Sequence, residues 1–510
     1  MADLTPPAPA GRTDTPPETN PWPALWAMVI GFFMILVDST IVSVATPAIM
    51  TGLDTDVNNV IWVTSAYLLA YAVPLLVTGR LGDRFGPKHV YLVGLTLFTL
   101  ASLWCGLTSS VEGLILARVF QGFGASMMTP QTMAVITRTF PAARRGGAMA
   151  LWGATAGVAT LVGPILGGVL VDGPGWEWIF FINVPVGVVA FVLAWRLVPS
   201  LPTHSHHFDW LGVVLSAVGM FLLVFGIQEG EKYDWGTISG VLSVPLLIGA
   251  GLVVLVLFVL WQSRIRTEPL VPLGLFRDRN FSLANTGITL VSFAITAFAF
   301  PFTLWAQAVR GYSPTETGLL LVPMAICTGF LAPVVGRLVD RAHPRSITLV
   351  GFTASAAALL WLSRVMTPDT HVWQILLPLG LFGVGSAFLW APLSTTATRN
   401  LPLSSAGAGA GVYNTTRQVG AVLGSAAIAA LIQSRLTANL PGAGASVEQV
   451  QTGGGAMPGA VAGPFSDAMA QATLLPAAAL CVGILAVLFF KAPQHAGHGA
   501  RAEKTADARA

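Results

Sequence analysis

From Trp22 onward the chain is a succession of apolar segments, each about the ~20 residues that a helix needs to cross ~30 Å of hydrocarbon. They lie near 24–49, 58–78, 89–108, 112–137, 147–170, 178–198, 210–229, 239–262, 281–308, 316–337, 347–365, 373–395, 408–433 and 470–490, fourteen in all. Backbone polar groups in lipid must bond within their own segment, so each is expected to be a helix. Only 10% of the residues are charged and 54% are hydrophobic, where soluble domains carry about 25% charge. The chain therefore reads as an all-α integral membrane protein. Its formal net charge of +3 argues for no nucleic-acid partner. The first apolar run is too long for a signal-peptide core and lacks a small-residue cleavage site, so it is read as a retained span. Cys105, Cys327 and Cys481 all lie in apolar runs, as small core residues rather than a disulfide framework.

Charge orients the spans. Of the 26 Lys and Arg, four fall in the loops of one side (Lys232, Arg310, Arg364, Arg435) and two, Arg118 and Arg417, fall within spans. The rest alternate strictly onto the other side. A missed span would invert every later loop, so the alternation supports the count. The positive-inside rule then predicts both termini in the cytoplasm of a bacterial-type inner membrane.

The chain also repeats itself. "GRLGDRFGPK" (79–88) ends the second span and "GRLVDRAHPR" (336–345) ends the tenth. Duplicated halves are how many transporters are built. The expected organisation is a disordered tail over 1–21, a six-helix half over 22–198, two inserted transmembrane helices over 199–267, and a second six-helix half over 268–491. A long Gly- and Ala-rich extracytoplasmic loop is expected at 434–469, and a second disordered tail at 492–510.

Three constellations carry chemistry. Asp38, in "MILVDSTIVSVATP", is the one acid well inside a span; an acid there costs about 2.5–3.5 kcal/mol on insertion scales. Arg118, in "LARVFQGFGASMMTPQ", is its natural partner, directly or through water; the plainer alternative is an Arg snorkelling from a helix end. In "GRLGDRFGPK", Gly79, Gly82 and Gly86 permit close approach and a tight reversal, with Arg84 alongside. Asp83 is placed to face the positive N-terminus of another helix, and "SSAGAGAG", which opens the thirteenth span, is a candidate; Asp340 is its counterpart in the second copy. The alternative is an ordinary charged turn. In "GATAGVATLVGPILGG" (153–168), glycines that include Gly163, Gly167 and Gly168 suit close helix packing, and Pro164 adds a kink or stiff wedge.

These stretches resemble the major facilitator superfamily, in its fourteen-span drug:proton antiporter branch. "LVDSTIVSVATP" is similar to that branch's first-helix motif, "GRLGDRFGPK" to the loop motif between spans two and three, "ARVFQGFGAS" to the basic motif of span four and "LVGPILGG" to the antiporter motif of span five. "WEWIFFINVPVG" (176–187) resembles the branch's W-R-W-I-F-x-I-N-x-P signature, with Glu177 where Arg is usual. The resemblance covers residues 22–491. It implies the major facilitator fold, export rather than uptake, and gating roles for the loop and span-five motifs.

No G-x-x-x-x-G-K-[ST] occurs, so nothing supports ATP-driven pumping. Nor is there an H-E-x-x-H or a metal-spaced Cys/His set, so neither enzyme chemistry nor a cofactor or metal is expected; the histidines of "THSHH" (203–207) read as a solvated loop. An ion gradient remains as the energy source, with the proton as coupling ion. Burial disfavours a charged carboxylate and a neighbouring cation favours it, so Asp38 beside Arg118 is the expected proton site; a purely structural hydrogen-bonding role is the alternative. Candidate substrate contacts are Trp62, Tyr67, Gln121, Asn183, Asn285, Trp305, Gln307 and Trp390, with Tyr71 and Phe298 beside them. Aromatic walls suit amphipathic molecules; lipophilic monocations or neutral antibiotics are expected. The protein is expected to be a lipid-embedded monomer. The runner-up is a dedicated exporter of one endogenous metabolite such as an antibiotic, siderophore or lipid. An importer or a non-transporting sensor is weaker.

Overall fold

The structure is a computed structural model. It describes residues 20–491 apart from 56, 142–143, 204–208, 231–232, 234, 266–268, 403–404 and 440–458. Both expected tails therefore lie almost wholly outside the described residues, as does most of "THSHH".

The N-terminal helices are α1 (Trp22–Gly52), α2 (Val57–Ala72), α3 (Leu75–Phe85), α4 (Pro87–Leu107), α5 (Val111–Thr139), α6 (Arg145–Asp172), the short α7 (Trp178–Phe181) and α8 (Asn183–Leu197). Next come α9 (Trp210–Gln228) and α10 (Val244–Arg264). The C-terminal helices are α11 (Arg279–Leu304), extended by a π-helical turn at Trp305–Val309, α12 (Pro314–Leu320), α13 (Val322–Arg341), α14 (Pro344–Val365), α15 (Val372–Thr398), α16 (Ala406–Asn439), α17 (Gly459–Ala472) and α18 (Leu474–Val487). Helix starts follow ordinary capping chemistry. Ser110 accepts from the Gly113 amide and Asp278 from the Phe281 amide, and Ser313 and Glu316 form a capping box on α12.

Among the described residues, twelve helices are long and apolar enough to cross a membrane, or thirteen if one bent pair counts as a single span. That pair, Trp62–Ala72 with Leu75–Phe85, bends by 46°, and Pro74 stands at the break as N-cap of α3. The 29-residue α5 has the length for a further span, but Arg118, Gln121, Gln131 and Arg138 lower its hydropathy. With it, the structure is consistent with fourteen.

Two expectations change. The loop expected over 434–469 is helical at both ends, as α16 runs to Asn439 and α17 begins at Gly459. Alanine is the strongest helix former, and Ala462, Phe465, Met469 and Ala472 recur at helical spacing on a buried face. The eighth span starts later than expected: Thr237–Ser239 and Leu242–Ser243 pair as a small antiparallel hairpin, with Gly240 at φ 55° in its turn, before α10 begins.

The halves meet along two matching contacts, α3 on α16 and α13 on α6. Each depends on glycine. A Cβ on Gly407 would lie 2.3 Å from the Gly79 carbonyl oxygen, and a Cβ on Gly146 would lie 2.4 Å from that of Gly336. Both contacts lie at the end of the bundle where the two repeated turns sit, called here the charged end. α9 and α10 pack chiefly on each other, with α9 also touching α2 and α16.

Replacing Gly407 by Val should hold this end apart without disturbing either half. Hydrogen–deuterium exchange at the α3–α4 turn should then accelerate about tenfold or more, while the cores of α4 and α14 remain protected. Unchanged exchange at the turn would mean that the α3–α16 contact does not govern closure there.

Candidate functional site

Three charged centres organise the molecule. The first surrounds Asp38, which is fully buried on α1. One carboxylate oxygen is paired with Arg118 of α5. The other accepts from Gln121 Nε2 at 2.8 Å and from Asn183 Nδ2 at 2.9 Å. Ser102 Oγ of α4 accepts from both of these amides and donates to the Phe180 carbonyl at 3.0 Å. The Arg118 guanidinium also donates to Gln121 Oε1 at 2.7 Å and to the Val63 carbonyl at 3.2 Å. Helices α2, α5 and α8 thus supply hydrogen-bond partners to the carboxylate–guanidinium pair that α1 and α5 bring together, with α4 behind them. Gly163 brings α6 against the same turn of α1: a Cβ there would lie 1.9 Å from Thr40 Oγ1 and 3.2 Å from the Val37 carbonyl oxygen.

The second centre is Asp83, also fully buried. Its oxygens accept the Gly407 and Ala408 amides, each at 2.9 Å. These are free amides of the first turn of α16, where the helix dipole favours an anion. Arg138 pairs with Asp83 at 2.5 Å and Arg80 approaches at 3.9 Å. Arg84 instead lies over the Phe85 ring, 5.2 Å from its centroid. The third centre is the counterpart in the repeat: Asp340 accepts the Gly146 amide at 2.9 Å, in the first turn of α6. Each half therefore places a carboxylate on a helix N-terminus of the other half.

Between the halves lies a cavity of about 290 Å³. Its wall is mostly apolar, from Ile35 and Tyr67 on one side to Phe298, Phe302, Met324, Phe382 and Trp390 on the other, with Ser39, Thr296, Ser386 and Gln418 as polar members. A second void of about 490 Å³ shares Ser39, Leu68, Thr296, Gln418 and Ala421 with it, and runs on to Gln228 and Trp235 beside the hairpin. The passage thus leads away from the clamped, charged end. Asp38 does not line it. Tyr67 does, and the Arg118 guanidinium carbon lies 4.0 Å from the centroid of the Tyr67 ring. One aromatic ring separates the buried ion pair from the cavity.

The sequence profile described as Major Facilitator Superfamily matches residues 28–425. The chain belongs to this superfamily. It is 53% identical over 478 residues to an uncharacterized MFS-type transporter of Mycobacterium tuberculosis, covering 92% of this chain and 81% of the relative. It is 35% identical over 499 residues to the tetracenomycin C resistance and export protein of Streptomyces glaucescens, covering 92% and 90%. The solved structure of the major facilitator proton:xylose symporter XylE superposes with a TM-score of 0.62 at 12% identity, covering 92% of this chain and 94% of that one. That similarity shows the fold.

Of the substrate contacts expected for this superfamily member, Tyr67 and Trp390 line the cavity, with Tyr71 and Phe298. The others do not. Gln121 and Asn183 are occupied by Asp38. Trp62 packs on Phe225 of α9, ring centroids 5.7 Å apart. Asn285 is held by the Phe281 carbonyl and by Thr416, at 2.8 and 3.0 Å. Trp305 is fully buried in the C-terminal core, and Gln307 sits in the π-helical turn outside the cavity lining. These placements share a cause: a sequence names the polar residues of a helix but not the neighbour each one faces. Pro164, with Gly167 and Gly168, lies on the far part of α6, where Pro164 Cβ approaches Gly318 of α12. Sequence reasoning missed Ser102, which nothing marks among ordinary small residues. Arg417 was visible as an intramembrane cation, and it lines the cavity.

Arg118→Met should leave a buried carboxylate without its cation and cost about 3–5 kcal/mol, whereas Asp38→Leu combined with Arg118→Met should cost less than the single change. Thermal unfolding of the purified protein tests the order; a double variant less stable than Arg118→Met would refute it. Gly163→Ala should cost about 1–3 kcal/mol by overpacking α6 on α1, read in the same assay.

Proposed function

We propose that this protein is a proton-coupled antiporter that exports lipophilic drugs or antibiotics across the cytoplasmic membrane, with both termini in the cytoplasm and the monomer as the working unit. The observation that carries this reading is the fully buried Asp38–Arg118 pair, set one tyrosine ring from a cavity between the halves. The relative named as a resistance and export protein supports the export direction.

The residues suggest how the coupling works. Charged Asp38 accepts three hydrogen bonds, from α5 twice and α8 once. Protonation cancels the ion pair and loosens that junction. α5 carries Arg118 at this level and Arg138, twenty residues or about 30 Å further on, at the Asp83 clamp. α2 covers Arg118 with Tyr67 and is followed after the Pro74 break by α3, which carries Asp83 in its last turn. Two of the elements that sense the charge on Asp38 therefore also hold the charged end closed. In this reading a proton enters when the cavity faces outward, leaves to the cytoplasm after the halves rock, and substrate moves in the opposite sense. Each proton supplies ~2.3 kcal/mol per 100 mV of membrane potential. A dedicated exporter of a single metabolite uses the same machinery and differs only in the breadth of compounds accepted.

In inverted membrane vesicles energised to an acid interior, a transported compound should dissipate the gradient, read as quinacrine dequenching. The response should vanish in Asp38→Asn. Dequenching that persists in that variant would place the proton site elsewhere; dequenching by one compound of a broad panel would favour the dedicated exporter.

A further inference from the structure

The cavity contains one charged side chain among the described residues, and it is a cation. Arg417 lies on α16 and is 8% exposed. It donates one hydrogen bond, from Nη2 to the Tyr71 hydroxyl at 3.0 Å. Its Nε is buried with no partner. The ion pairs among the described residues are Arg80–Asp83, Arg118–Asp38 and Arg138–Asp83, so no carboxylate answers Arg417. A guanidinium has five N–H donors and no acceptor, and an ionisable side chain kept inside a membrane bundle without an opposite charge beside it is a functional-site candidate. A second orphan polar atom, Ser292 Oγ, is buried on the same cavity wall.

We infer that the exported compound is an amphipathic organic anion, its carboxylate, sulfonate or phenolate oxygen bound by Arg417 and its aromatic body packed against Tyr67, Phe298 and Trp390. This rests on the transport reading above and replaces the sequence-based expectation of lipophilic monocations or neutral antibiotics. An anion completes the donor set that the protein leaves open, by charge-assisted hydrogen bonds; a cation would meet a like charge in an apolar wall. The position also suits coupling. Arg417 belongs to the C-terminal half, whereas its single partner Tyr71 belongs to the N-terminal half. Tyr71 also bonds Thr129 at 3.1 Å and stacks on Tyr67, ring centroids 6.1 Å apart. An anion that draws Arg417 from Tyr71 acts on the aromatic layer that covers Arg118. Charge flow has a consequence too. Anion export and proton entry both move net positive charge inward, so turnover rises with an inside-negative potential; a monocation exchanged for one proton moves none.

The test uses the full-length protein and two probes with one aromatic body, 1-pyrenebutyrate and 1-pyrenebutylammonium. Binding is read by quenching of tryptophan emission, corrected for empty micelles. Wild type should bind the anion about tenfold or more tighter than the ammonium, the scale of a hydrogen bond to a charged group. Arg417→Gln should abolish the preference and Arg417→Lys should keep part of it. Tyr71→Phe, which frees a further N–H, should retain it. Preference for the ammonium, binding of neither probe, or an anion preference intact in Arg417→Gln would each overturn the inference. The wild-type comparison decides even if Arg417→Gln does not fold. In proteoliposomes, ammonium-driven proton exchange that is lost in Asp38→Asn would sink this inference and leave antiport standing. Anion binding without any proton exchange would do the reverse.

Discussion

A carboxylate buried in a membrane bundle has to be surrounded by donors, and no single helix can provide them. That constraint arranges this protein. Asp38 draws side chains from α5 and α8, with Ser102 of α4 behind them. Asp83 draws two backbone amides from the start of α16, and Asp340 draws one from the start of α6. In each case the acid fixes which helices touch and at what depth. The glycines follow from the acids: a carboxylate can reach a helix N-terminus only if the two backbones come close, which is why Gly79, Gly407, Gly146 and Gly336 leave no space for a Cβ.

The two clamps differ from the Asp38 centre in a way that fits their positions. Asp83 and Asp340 are answered partly by backbone amides, which cannot be removed by a proton or by a rotamer change. They part only if the halves part. Asp38 is answered by side chains within one half, so its hydrogen bonds do not cross the cavity. The structure thus holds two kinds of contact: carboxylates seated on backbone amides between the halves, and a side-chain network inside one half. The physical continuity of α5 and of α2–α3 joins them.

Much of this was legible in the sequence. The spans show because hydrocarbon tolerates no other backbone, and they blur where a helix is polar for functional reasons, as in α5, or broken by Pro74. The pairing of Asp38 with Arg118 followed from scarcity, since each had almost no other partner at that depth. The docking of Asp83 on "SSAGAGAG" followed from the dipole and from the lack of bulk there. The lining of the cavity was far less legible. Gln121 and Asn183 look like cavity polars, yet they hold Asp38, because helical phase relative to a distant partner is not written in either segment. The two ends of the stretch at 434–469 were misread as loop because alanine and glycine share low bulk while differing in helix propensity by about 1 kcal/mol per residue.

The inserted pair, α9 and α10, shows how an addition can matter without joining either half. α10 turns Leu252, Val256 and Leu260 outward, as a lipid-facing helix must. α9 rests on α2 through the Phe225–Trp62 contact, on the same helix that carries Tyr67 and Tyr71. The hairpin between α9 and α10 then sets Trp235, at φ 57°, against the second void beside Gln228. A non-glycine residue held in the left-handed region costs about 1–3 kcal/mol, so surrounding packing must fix Trp235 there; Gly230, whose Cβ would lie 2.8 Å from the indole, leaves the space for it. The insertion thus supplies a bulky wall at the mouth of the passage while the clamps lie at the opposite end.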